Sequence, residues 1–423
     1  MQYLKRAIIP SRQESEDIES VVKTVISDIR KGGDQAVRKY EEEFGHSHRT
    51  LFRVSDEEYQ ESVSTLDSEV KVLIERTVER VKRFAEAQLG CLTELEDEFG
   101  DGIRMGHRVV PIESVGAYIP GGRFPLLSSA AMVIVPARVA GANRIIACSP
   151  ANYKGGIHPA VLYSTHLSGA TEIYAIGGAQ AIAAMAYGTE SIRAVDMVAG
   201  PGNRYVAEAK RQVYGAVGID LLAGPSEIMV LADDSANPST VAVDLLAQAE
   251  HDPFTRALLV STSLDLAKSV MSEIDIAMQL LPNDSPARES WPQMGEVMVA
   301  ETMEEAIAIC NVYAVEHLHI QTRNPRDLMK TLYNYGSLFL GANSSVVFSD
   351  KVSGTNHTLP TLRAARYTGG LWVGNYVKVL THQEIMDNGI EILASHSARQ
   401  SELEGLEGHR LSAVARIKPE IRP

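Results

Sequence analysis

From about residue 109 onward the chain alternates short apolar runs, most of which end in glycine, with alanine-rich stretches. The first runs are SVGAYIPGG (114–122), RIIACSP (144–150), EIYAIGGAQ (172–180), DMVAGPGN (196–203) and IDLLAGPSE (219–227), and the pattern continues through EIMVLAD, ALLVST (257–262), EHLHIQ (316–321) and SLFLG (337–341). A strand, a glycine turn and a helix in repeated succession are typical of a mostly parallel sheet covered by helices. The sequence therefore predicts an α/β fold in which ligands bind at the carboxyl ends of the strands, where the turns lie.

Helical patterns flank this region. Apolar residues at helix spacing over 21–29 predict a first helix that ends at Gly32-Gly33, after which Asp34 would cap a second helix. A long amphipathic stretch follows over 70–89, and the acidic string ELEDEFGDG predicts a solvated turn. Beyond about Tyr367 the tail again has a helical pattern.

Length, charge and cysteine content limit the classes of protein to consider. A chain of 423 residues exceeds one ordinary core, so we expect two or more domains. The net charge of -14 argues against nucleic-acid binding, which needs clustered lysine and arginine. Cys91, Cys148 and Cys310 are too widely spaced for a disulfide framework or a CxxC zinc site and suit a reducing cytoplasm. The N-terminus lacks the apolar segment of a secretory signal, and the most apolar stretch is too short to span a bilayer, so we expect a cytoplasmic protein with no membrane partner.

The glycine turns suggest a nucleotide, but the GxGxxG fingerprint is absent. The nearest string, GPGNRY at 200–205, lacks the third glycine, while Asp220 lies at roughly the right separation for a ribose ligand. Glycines also simply close tight turns between strand and helix. Several such turns, each at a strand end, together favour contact with a phosphate or cofactor.

Four polar residues from separate segments form a candidate metal site. Gln248 and His251 are three apart in a helical stretch and project from one face. Asp350 and His409 would bring the set to two imidazoles, one carboxylate and one amide, and zinc takes N and O ligands of these kinds. The spacing matches no short zinc motif, and a lone glutamine on a helix usually faces solvent, so the interpretation depends on the other segments.

Glu316 and His317 open an apparently buried strand. Burial raises the pKa of a carboxyl and lowers that of an imidazole, moving both towards neutrality, as general bases require. The alternative is a hydrogen-bonded core pair at a strand end. His357 follows the turn Ser353-Gly354-Thr355-Asn356 on a loop, where functional groups are often displayed, although a turn-capping role is equally open.

At these residues the chain resembles the histidinol dehydrogenase family. The resemblance runs in order from about residue 115 to residue 410 and is carried by AYIPGG, YAIGGAQAIAAMAYGTESI, GPGNRYVAEAKRQV, AGPSEIMVLAD, LLAQAEHDP, EHLHIQTRN, SGTNHTLPT and EGLEGH. It implies an enzyme that oxidises a primary amino alcohol to the carboxylate in two NAD-dependent steps, through a held aldehyde and with one bound zinc ion per subunit.

The resemblance also implies roles for individual residues. The zinc ligands would be Gln248, His251, Asp350 and His409. The catalytic bases would be Glu316 and His317, with His317 taking the alcohol proton and Glu316 activating water on the aldehyde. Further contacts to the substrate would come from Ser226, His357 and Glu404, beside the metal ligands and His317. The NAD contacts would be Tyr118, Gln180 and Asn203.

The fold implied by the resemblance is an intertwined homodimer with two incomplete Rossmann-like domains per chain. Residues 1–117 with 226–371 would form the larger domain, which holds the metal and the bases, and residues 118–225 the NAD domain. The tail, residues 372–423, would reach across the dimer interface, so that His409 and Glu404 serve the partner subunit's site.

The segment after His357 departs from the usual pattern of the histidine-pathway members. Lys351, Arg363 and Arg366 add positive charge near His357. Such charge would repel a cationic substrate such as histidinol and attract an anionic alcohol such as 2,3-dihydroxypropanesulfonate, which one branch of the family oxidises. Alternatively, these basic residues pair with the chain's many acids, so the substrate stays open.

A different class of function is a ligand-binding paralogue that kept the fold without catalysis. Such a protein would be expected to lack Glu316, His317 or a metal ligand. All of these residues are present.

Overall fold

The computed structural model describes residues 1–8, 14–121, 125–418 and 420. The strands are β1 (Gln2–Lys5), β2 (Leu95–Glu98), β3 (Ile103–Pro111), β4 (Ser114–Tyr118), β5 (Arg144–Ser149), β6 (Glu172–Ala175), β7 (Met197–Ala199), β8 (Gly218–Ile219), β9 (Glu227–Ala232), β10 (Arg256–Ser261), β11 (Glu296–Val299), β12 (His317–Gln321), β13 (Ser337–Leu340) and β14 (Val377–Ile385). The helices are α1 (Glu14–Glu43), α2 (Asp56–Ser64), α3 (Ser68–Leu89), α4 (Leu127–Ala140), α5 (Pro159–Leu167), α6 (Gly178–Tyr187), α7 (Arg204–Val213), α8 (Pro238–Ala249), α9 (Leu264–Met278), α10 (Ala287–Met294), α11 (Met303–Tyr313), α12 (Val346–Lys351), α13 (Asp387–Leu403) and α14 (Glu407–Val414).

Two mostly parallel sheets form the body of the chain. The 5-stranded sheet has the order β6-β5-β4-β7-β8 and is parallel throughout. The 6-stranded sheet has the order β1-β11-β10-β9-β12-β13, with only the edge strand β1 antiparallel. Strands β9 and β12 are buried along their whole length, as expected where helices cover both faces of a parallel sheet. The predicted α/β fold with mostly parallel sheets is confirmed.

A third sheet corrects the prediction for the two ends of the chain. The acidic string at 94–102 was expected to be a turn, but β2 and β3 form a hairpin there, and β14 from the tail pairs along the whole of β3. The N-terminal segment is therefore not purely helical, and the tail begins with a strand before its two helices. Periodicity missed these strands because β2 and β14 are exposed along nearly their whole length and show no sustained alternation of apolar and polar residues.

Gly33 divides α1 where the sequence predicted a helix to end, because its backbone (φ 50, ψ -134) is not helical and two helical halves meet there at a kink. A Cβ at that position would lie 2.3 Å from Glu190 Oε2. The Asp34 amide donates to Glu190 Oε2 at 2.7 Å, and the Asp34 carboxylate accepts from Ser191. The Asp34 side chain, which was predicted to cap a second helix, therefore links α1 to the segment after α6.

The first hydrophobic core joins α1 to the 5-stranded sheet. Val22, Ile29 and Phe52 pack in one buried cluster with Tyr118 and Tyr174. Strand β4, the central strand of that sheet, runs from Ser114 to Tyr118, so the predicted boundary between residues 117 and 118 falls within it. The division into 1–117 with 226–371, 118–225 and 372–423 stays a prediction. Within the described part of the chain, no helix is long and apolar enough to cross a membrane.

Candidate active site

The candidate catalytic residues lie between the two parallel sheets, at the amino ends of two strands of the 6-stranded sheet. The sequence had predicted ligands at the carboxyl ends of the strands. Glu316 and His317 stand at the amino end of β12, and Glu227 opens the neighbouring β9. The glycine string AGPSE therefore precedes β9 instead of closing a strand. The first turn of α4, which follows the carboxyl end of β4, faces this point and donates from Ser128 Oγ to the Asp350 carbonyl at 2.6 Å.

Asp350, at the end of α12, is the centre of the cluster. Its Oδ2 accepts from Gln248 Nε2 at 3.1 Å and lies 3.9 Å from His251 Nε2. Its Oδ1 lies 3.9 Å from His317 Nε2. Burial alone would raise the pKa of Asp350, but the imidazoles of His317, His357 and His251 outweigh burial and lower it.

The hydrogen bonds of His317 define its tautomer. Nδ1 lies 3.0 Å from the Glu227 carbonyl, which can only accept, so Nδ1 carries the proton. Nε2 is buried and has no hydrogen-bond partner. Burial lowers the pKa of His317 to about 4. The direction is as predicted from burial, but the pKa moves away from neutral pH, because desolvation outweighs the opposing effect of the Asp350 carboxylate.

Glu316 lies beside this ring and is also buried. Its Oε2 is 3.5 Å from His317 Nδ1 and accepts from the Glu227 amide at 2.9 Å. Burial raises the pKa of Glu316 well above its usual value, and the nearby Glu227 and Asp350 carboxylates add to the shift. One backbone unit, that of Glu227, therefore orients both members of the pair.

His357 has a partner at each ring nitrogen. Nδ1 donates to the Asp350 carbonyl at 3.1 Å, and Nε2 lies 3.1 Å from Ser129 Oγ. Burial lowers the pKa of the ring, and the charge of Lys351 lowers it further, as it does for His251. The loop thus holds His357 against the backbone of Asp350.

The other two basic residues of the unusual segment have backbone partners. Arg363 Nε donates to the Val312 carbonyl at 3.1 Å, and Arg366 Nε donates to the Arg363 carbonyl at 3.0 Å. Both side chains belong to exposed residues. The alternative that they pair with acidic side chains receives no support from these contacts.

Two of the expected NAD contacts meet at one glycine turn. The Tyr118 hydroxyl accepts from the Gly178 amide at 3.1 Å, and Gln180 Nε2 donates to Glu41 Oε1 at 2.8 Å. The same Glu41 oxygen accepts from the Gly177 amide at 2.9 Å. Asn203, the third expected NAD contact, is the N-cap of α7, because its Oδ1 accepts from the first amides of that helix.

The GPGN turn is held from behind by a buried ion pair. Asp220 Oδ2 accepts from the Gly200 amide at 2.8 Å, and Lys210 Nζ donates to the Gly200 carbonyl at 3.0 Å. Lys210 and Asp220 also pair directly, with both side chains nearly inaccessible to water. Asp220 is therefore occupied in supporting the turn, and its match to a ribose ligand was a coincidence of spacing.

The tail residues lie away from the cluster within one chain. His409 on α14 and Glu404 at the end of α13 are exposed, and Glu404 Oε1 accepts from Gln400 Nε2 at 2.9 Å. The two helices pack on each other. Ser226 immediately precedes β9, and its carbonyl accepts from the Arg256 amide at 3.0 Å.

Three of the four predicted metal ligands converge. Over residues 1–8, 14–121, 125–418 and 420 no group of three or more His, Cys, Asp or Glu side chains is arranged to hold a metal ion. Gln248, His251 and Asp350 nevertheless bring an amide, an imidazole and a carboxylate to one point, and these are zinc-type donors. The donor chemistry fits a zinc ion that takes a further ligand from elsewhere.

Sequence reasoning missed the residues that support the site. Glu227 acts through its backbone, and Glu41 lies in a helix far along the chain from the turn it holds. Ser128 and Ser129 look like ordinary residues of a helix start. Nothing in the sequence distinguishes such residues, because their roles come from long-range contacts.

Comparison with known proteins confirms the resemblance. The sequence profile of the histidinol dehydrogenase family matches residues 10–417. Histidinol dehydrogenase homolog 1 of Mesorhizobium japonicum is 45% identical over 400 residues, 94% of this chain and 80% of that protein. Sulfopropanediol 3-dehydrogenase of Ruegeria pomeroyi is 39% identical over 419 residues, 99% of this chain and 96% of that protein. The crystal structure of histidinol dehydrogenase from Elizabethkingia anophelis matches with a TM-score of 0.90 and 33% identity over 99% of both chains. The chain therefore belongs to the histidinol dehydrogenase family and is an oxidoreductase.

Proposed function

We propose that the protein is a zinc- and NAD-dependent dehydrogenase that oxidises a primary alcohol, through a held aldehyde, to the carboxylate, as histidinol dehydrogenase does. The observation that carries the proposal is the orientation of His317. Its Nδ1 proton is held by the Glu227 carbonyl, while the bare Nε2 is buried, unpartnered and 3.9 Å from Asp350. A buried nitrogen lone pair without a donor is suited to receive a proton from substrate.

The metal would be held by Gln248, His251 and Asp350 of one chain and by the partner subunit's His409. The Gln248 amide would present its oxygen, and the two faces of an amide are related by a simple flip. An imidazole with a lowered pKa accepts a proton only from an acidic donor. Bound zinc would supply that acidity to an alcohol, and NAD would accept the hydride.

Glu316 would act in the second oxidation. In its buried position the raised pKa makes the carboxylate a stronger base than an exposed glutamate, so it can take a proton from the water that adds to the aldehyde. His317 again accepts a proton at Nε2 as the hydrate is oxidised. Neither step uses a thiol, in keeping with the burial of Cys148 and Cys310.

The NAD site would lie at the carboxyl ends of β4, β6 and β7. Tyr118 and Gln180 share one turn there, and Asn203 stands at the next. The Gly177, Gly178 and Gly200 amides of these turns already bond Glu41, Tyr118 and Asp220, so side chains rather than free turn amides would contact NAD. Such contacts would not require a GxGxxG string.

A homodimer would complete the site. The three-stranded sheet exposes apolar side chains, including Leu95 at 46%, Val379 at 59% and Leu380 at 46%. Exposed apolar surface of this kind marks an interaction surface. A partner subunit packed there would cover it and bring Glu404 and His409 to the other chain's cluster. With free cysteines and no helix for a membrane in its described part, we place the enzyme in the cytoplasm.

The substrate would be histidinol or an anionic alcohol such as 2,3-dihydroxypropanesulfonate. The second candidate is favoured by the charge of Lys351, which lowers the pKa of both His251 and His357. A cation in that position would attract a sulfonate and repel an amine.

The deciding experiment measures NADH release by purified, zinc-loaded protein with the two substrates in parallel. We expect two NADH per molecule of one substrate, with loss of activity in protein stripped of metal by a chelator and recovery on adding zinc. One NADH per molecule would contradict the two-step course. No turnover of either substrate would contradict the specificity argument, and no zinc uptake would contradict the metal site.

A further inference from the structure

A buried polar network outside the chemistry just described joins the elements that carry the ligands and bases. Its centre is Asp244 on α8, which is 8% exposed. Its Oδ1 accepts from Ser345 Oγ at 2.8 Å, and its Oδ2 accepts from Gln321 Nε2 at 2.8 Å and lies 3.5 Å from His319 Nδ1. A buried carboxylate is tolerated only when its oxygens are hydrogen-bonded, so both oxygens are committed to these partners.

His319 closes the network on the side of the sheet. Its Nε2 donates to the Gly341 carbonyl at 2.9 Å, just past β13. Burial lowers the pKa of this imidazole, which leaves Nδ1 as an acceptor for Gln321 Nε2 at 3.3 Å. Asp244 is thereby tied through two residues of β12 to the centre of the 6-stranded sheet.

The network also sets how α8 lies against α12. Asp244 and Gln248 are one helical turn apart on the same face of α8. Asp244 bonds Ser345, just before α12, and Gln248 bonds Asp350, near its end. Ser345 occupies the position that would cap α12, but its side chain makes no bond to that helix and donates to Asp244 instead. The two helices are thus joined at two points, of which only one involves the candidate metal ligands.

We propose that Asp244 is a positioning residue that sets the separation of the Gln248 and Asp350 side chains by tying α12 to α8 and β12. This inference rests on the proposed function, because its purpose is the ligand geometry. Asp244 touches neither the ligand cluster nor a reacting group and acts through Gln248 and Asp350. Outer partners that hold metal ligands in place are a general requirement of metal sites.

The test uses Ser345→Ala, which removes the tie to α12 and leaves Asp244 with Gln321. The matched control is Ser290→Ala, because the Ser290 hydroxyl likewise donates to α8, at the Ala249 carbonyl, from a helix other than α12. Ser290 is fully buried, whereas Ser345 is partly buried. Zinc affinity is measured by competition with a chromophoric chelator, cobalt coordination by the visible spectrum, and stability by thermal unfolding, all on the full-length protein.

We expect Ser345→Ala to weaken zinc binding by about tenfold to a hundredfold and to change the cobalt spectrum. Ser290→Ala should lose similar thermal stability yet keep the wild-type affinity and spectrum. Ser345→Thr, which retains the hydroxyl, should restore affinity. Asp244→Asn, which cannot accept from both partners at once, should behave like Ser345→Ala.

Wild-type zinc affinity in Ser345→Ala would overturn the inference and leave the proposed function standing. An equal loss in Ser290→Ala would also overturn it, because the effect would then be a general loosening of α8. Failure of the wild-type protein to take up zinc is a separate result, which overturns the proposed function and this inference with it.

Discussion

At the scale of residues, Glu316 and His317 show how one environment acts on two neighbours in opposite directions. Withdrawal from water disfavours the charged form of each, so the pKa of the carboxyl rises and that of the imidazole falls. The backbone of Glu227 then fixes their orientation, with its amide on Glu316 and its carbonyl on His317. Nε2 of His317 is left without a hydrogen-bond partner, and the proposed mechanism would bring the substrate to this atom.

Replacing Glu316 by glutamine tests the second oxidation. Glutamine keeps the size of the side chain and an oxygen for the Glu227 amide, but it cannot act as a base. We expect oxidation of supplied aldehyde to fall by about a hundredfold or more, measured as NADH formation. The control is Glu172→Gln, which alters a glutamate on β6 of the other parallel sheet, paired with Arg144 away from the candidate bases. Undiminished aldehyde oxidation by Glu316→Gln would remove this residue from the water-activating role.

Stability should depend on pH in a direction set by the buried histidines. The pKa values of His251, His317, His319 and His357 are lowered by burial, that of His317 to about 4. Between this value and the ordinary histidine pKa the unfolded chain binds more protons than the folded chain, so stability is present at higher pH and is lost as pH falls through the folded pKa. Glu316, whose pKa is raised, contributes in the opposite sense.

We therefore expect metal-free protein to unfold several degrees lower at about pH 5 than at about pH 7.5. His317→Asn should lose less between the two conditions, since asparagine can still donate to the Glu227 carbonyl but does not titrate. His48→Gln, at an exposed histidine, serves as the control. An acid sensitivity unchanged by His317→Asn would contradict the assignment of the effect to this ring.

At the scale of elements, the turns between strands and helices are rigid supports. The β7–α7 turn depends on Gly200, whose φ of 124 favours glycine and whose Cβ would lie 2.1 Å from the Tyr118 carbonyl oxygen. Lys210 and Asp220 bond both main-chain groups of this glycine. The turn is thus held on one side by β4 and on the other by a buried ion pair.

Gly200→Ala should destabilise the protein more than Gly215→Ala. Gly215 has φ 101 but open space around a Cβ, so its replacement reports backbone strain alone. Collision with Tyr118 adds to the strain at Gly200, and we expect its loss of unfolding free energy to be larger by about 2 kcal/mol or more. Urea unfolding measures both variants. Equal losses would mean that the turn yields easily and that the close approach to Tyr118 is unimportant.

At the scale of the whole molecule, the site forms where the amino ends of one parallel sheet meet the carboxyl ends of another. The 6-stranded sheet and its helices α8 and α12 supply Glu316, His317 and the candidate ligands. The first turn of α4, which follows β4, supplies the serines that bond Asp350 and His357. The tail, by contrast, leaves its apolar side chains exposed within one chain. In the proposed homodimer, the partner subunit's tail would complete the set of predicted ligands.

Hybrid dimers test whether the tail acts across the interface. His409→Asn and Glu316→Gln homodimers should each have little activity. If His409 serves the partner's site, a hybrid has one intact site, and random mixing should restore about a quarter of wild-type activity. If it serves its own chain, both sites of the hybrid are defective and nothing is restored. Light scattering should give twice 46.0 kDa for each protein.

Much of the fold was determined by the sequence itself. Short apolar runs predicted β9, β10, β12 and β13 nearly to their bounds, and helical patterns predicted α3 and the helical stretch that carries Gln248. These signals are local, because each depends on which faces of one element are apolar. The strands of the exposed third sheet escaped detection for the same reason, since neither face is buried. The residue types of the site and the family resemblance also came from the sequence alone.

Only the tertiary structure decided which ends of the strands meet and which polar groups serve one another. Strand β9 lies between β10 and β12, so Glu227 stands beside Glu316, 89 residues away in the chain. Asp220, whose spacing in the sequence suggested a ribose ligand, proved to support a turn, and Asp244, which nothing in the sequence distinguished, proved to link α8 to α12. A buried polar side chain takes whatever partners packing brings to it, and those partners lie far along the chain. Sequence patterns therefore determined the elements and their chemistry, while packing decided the geometry of the site.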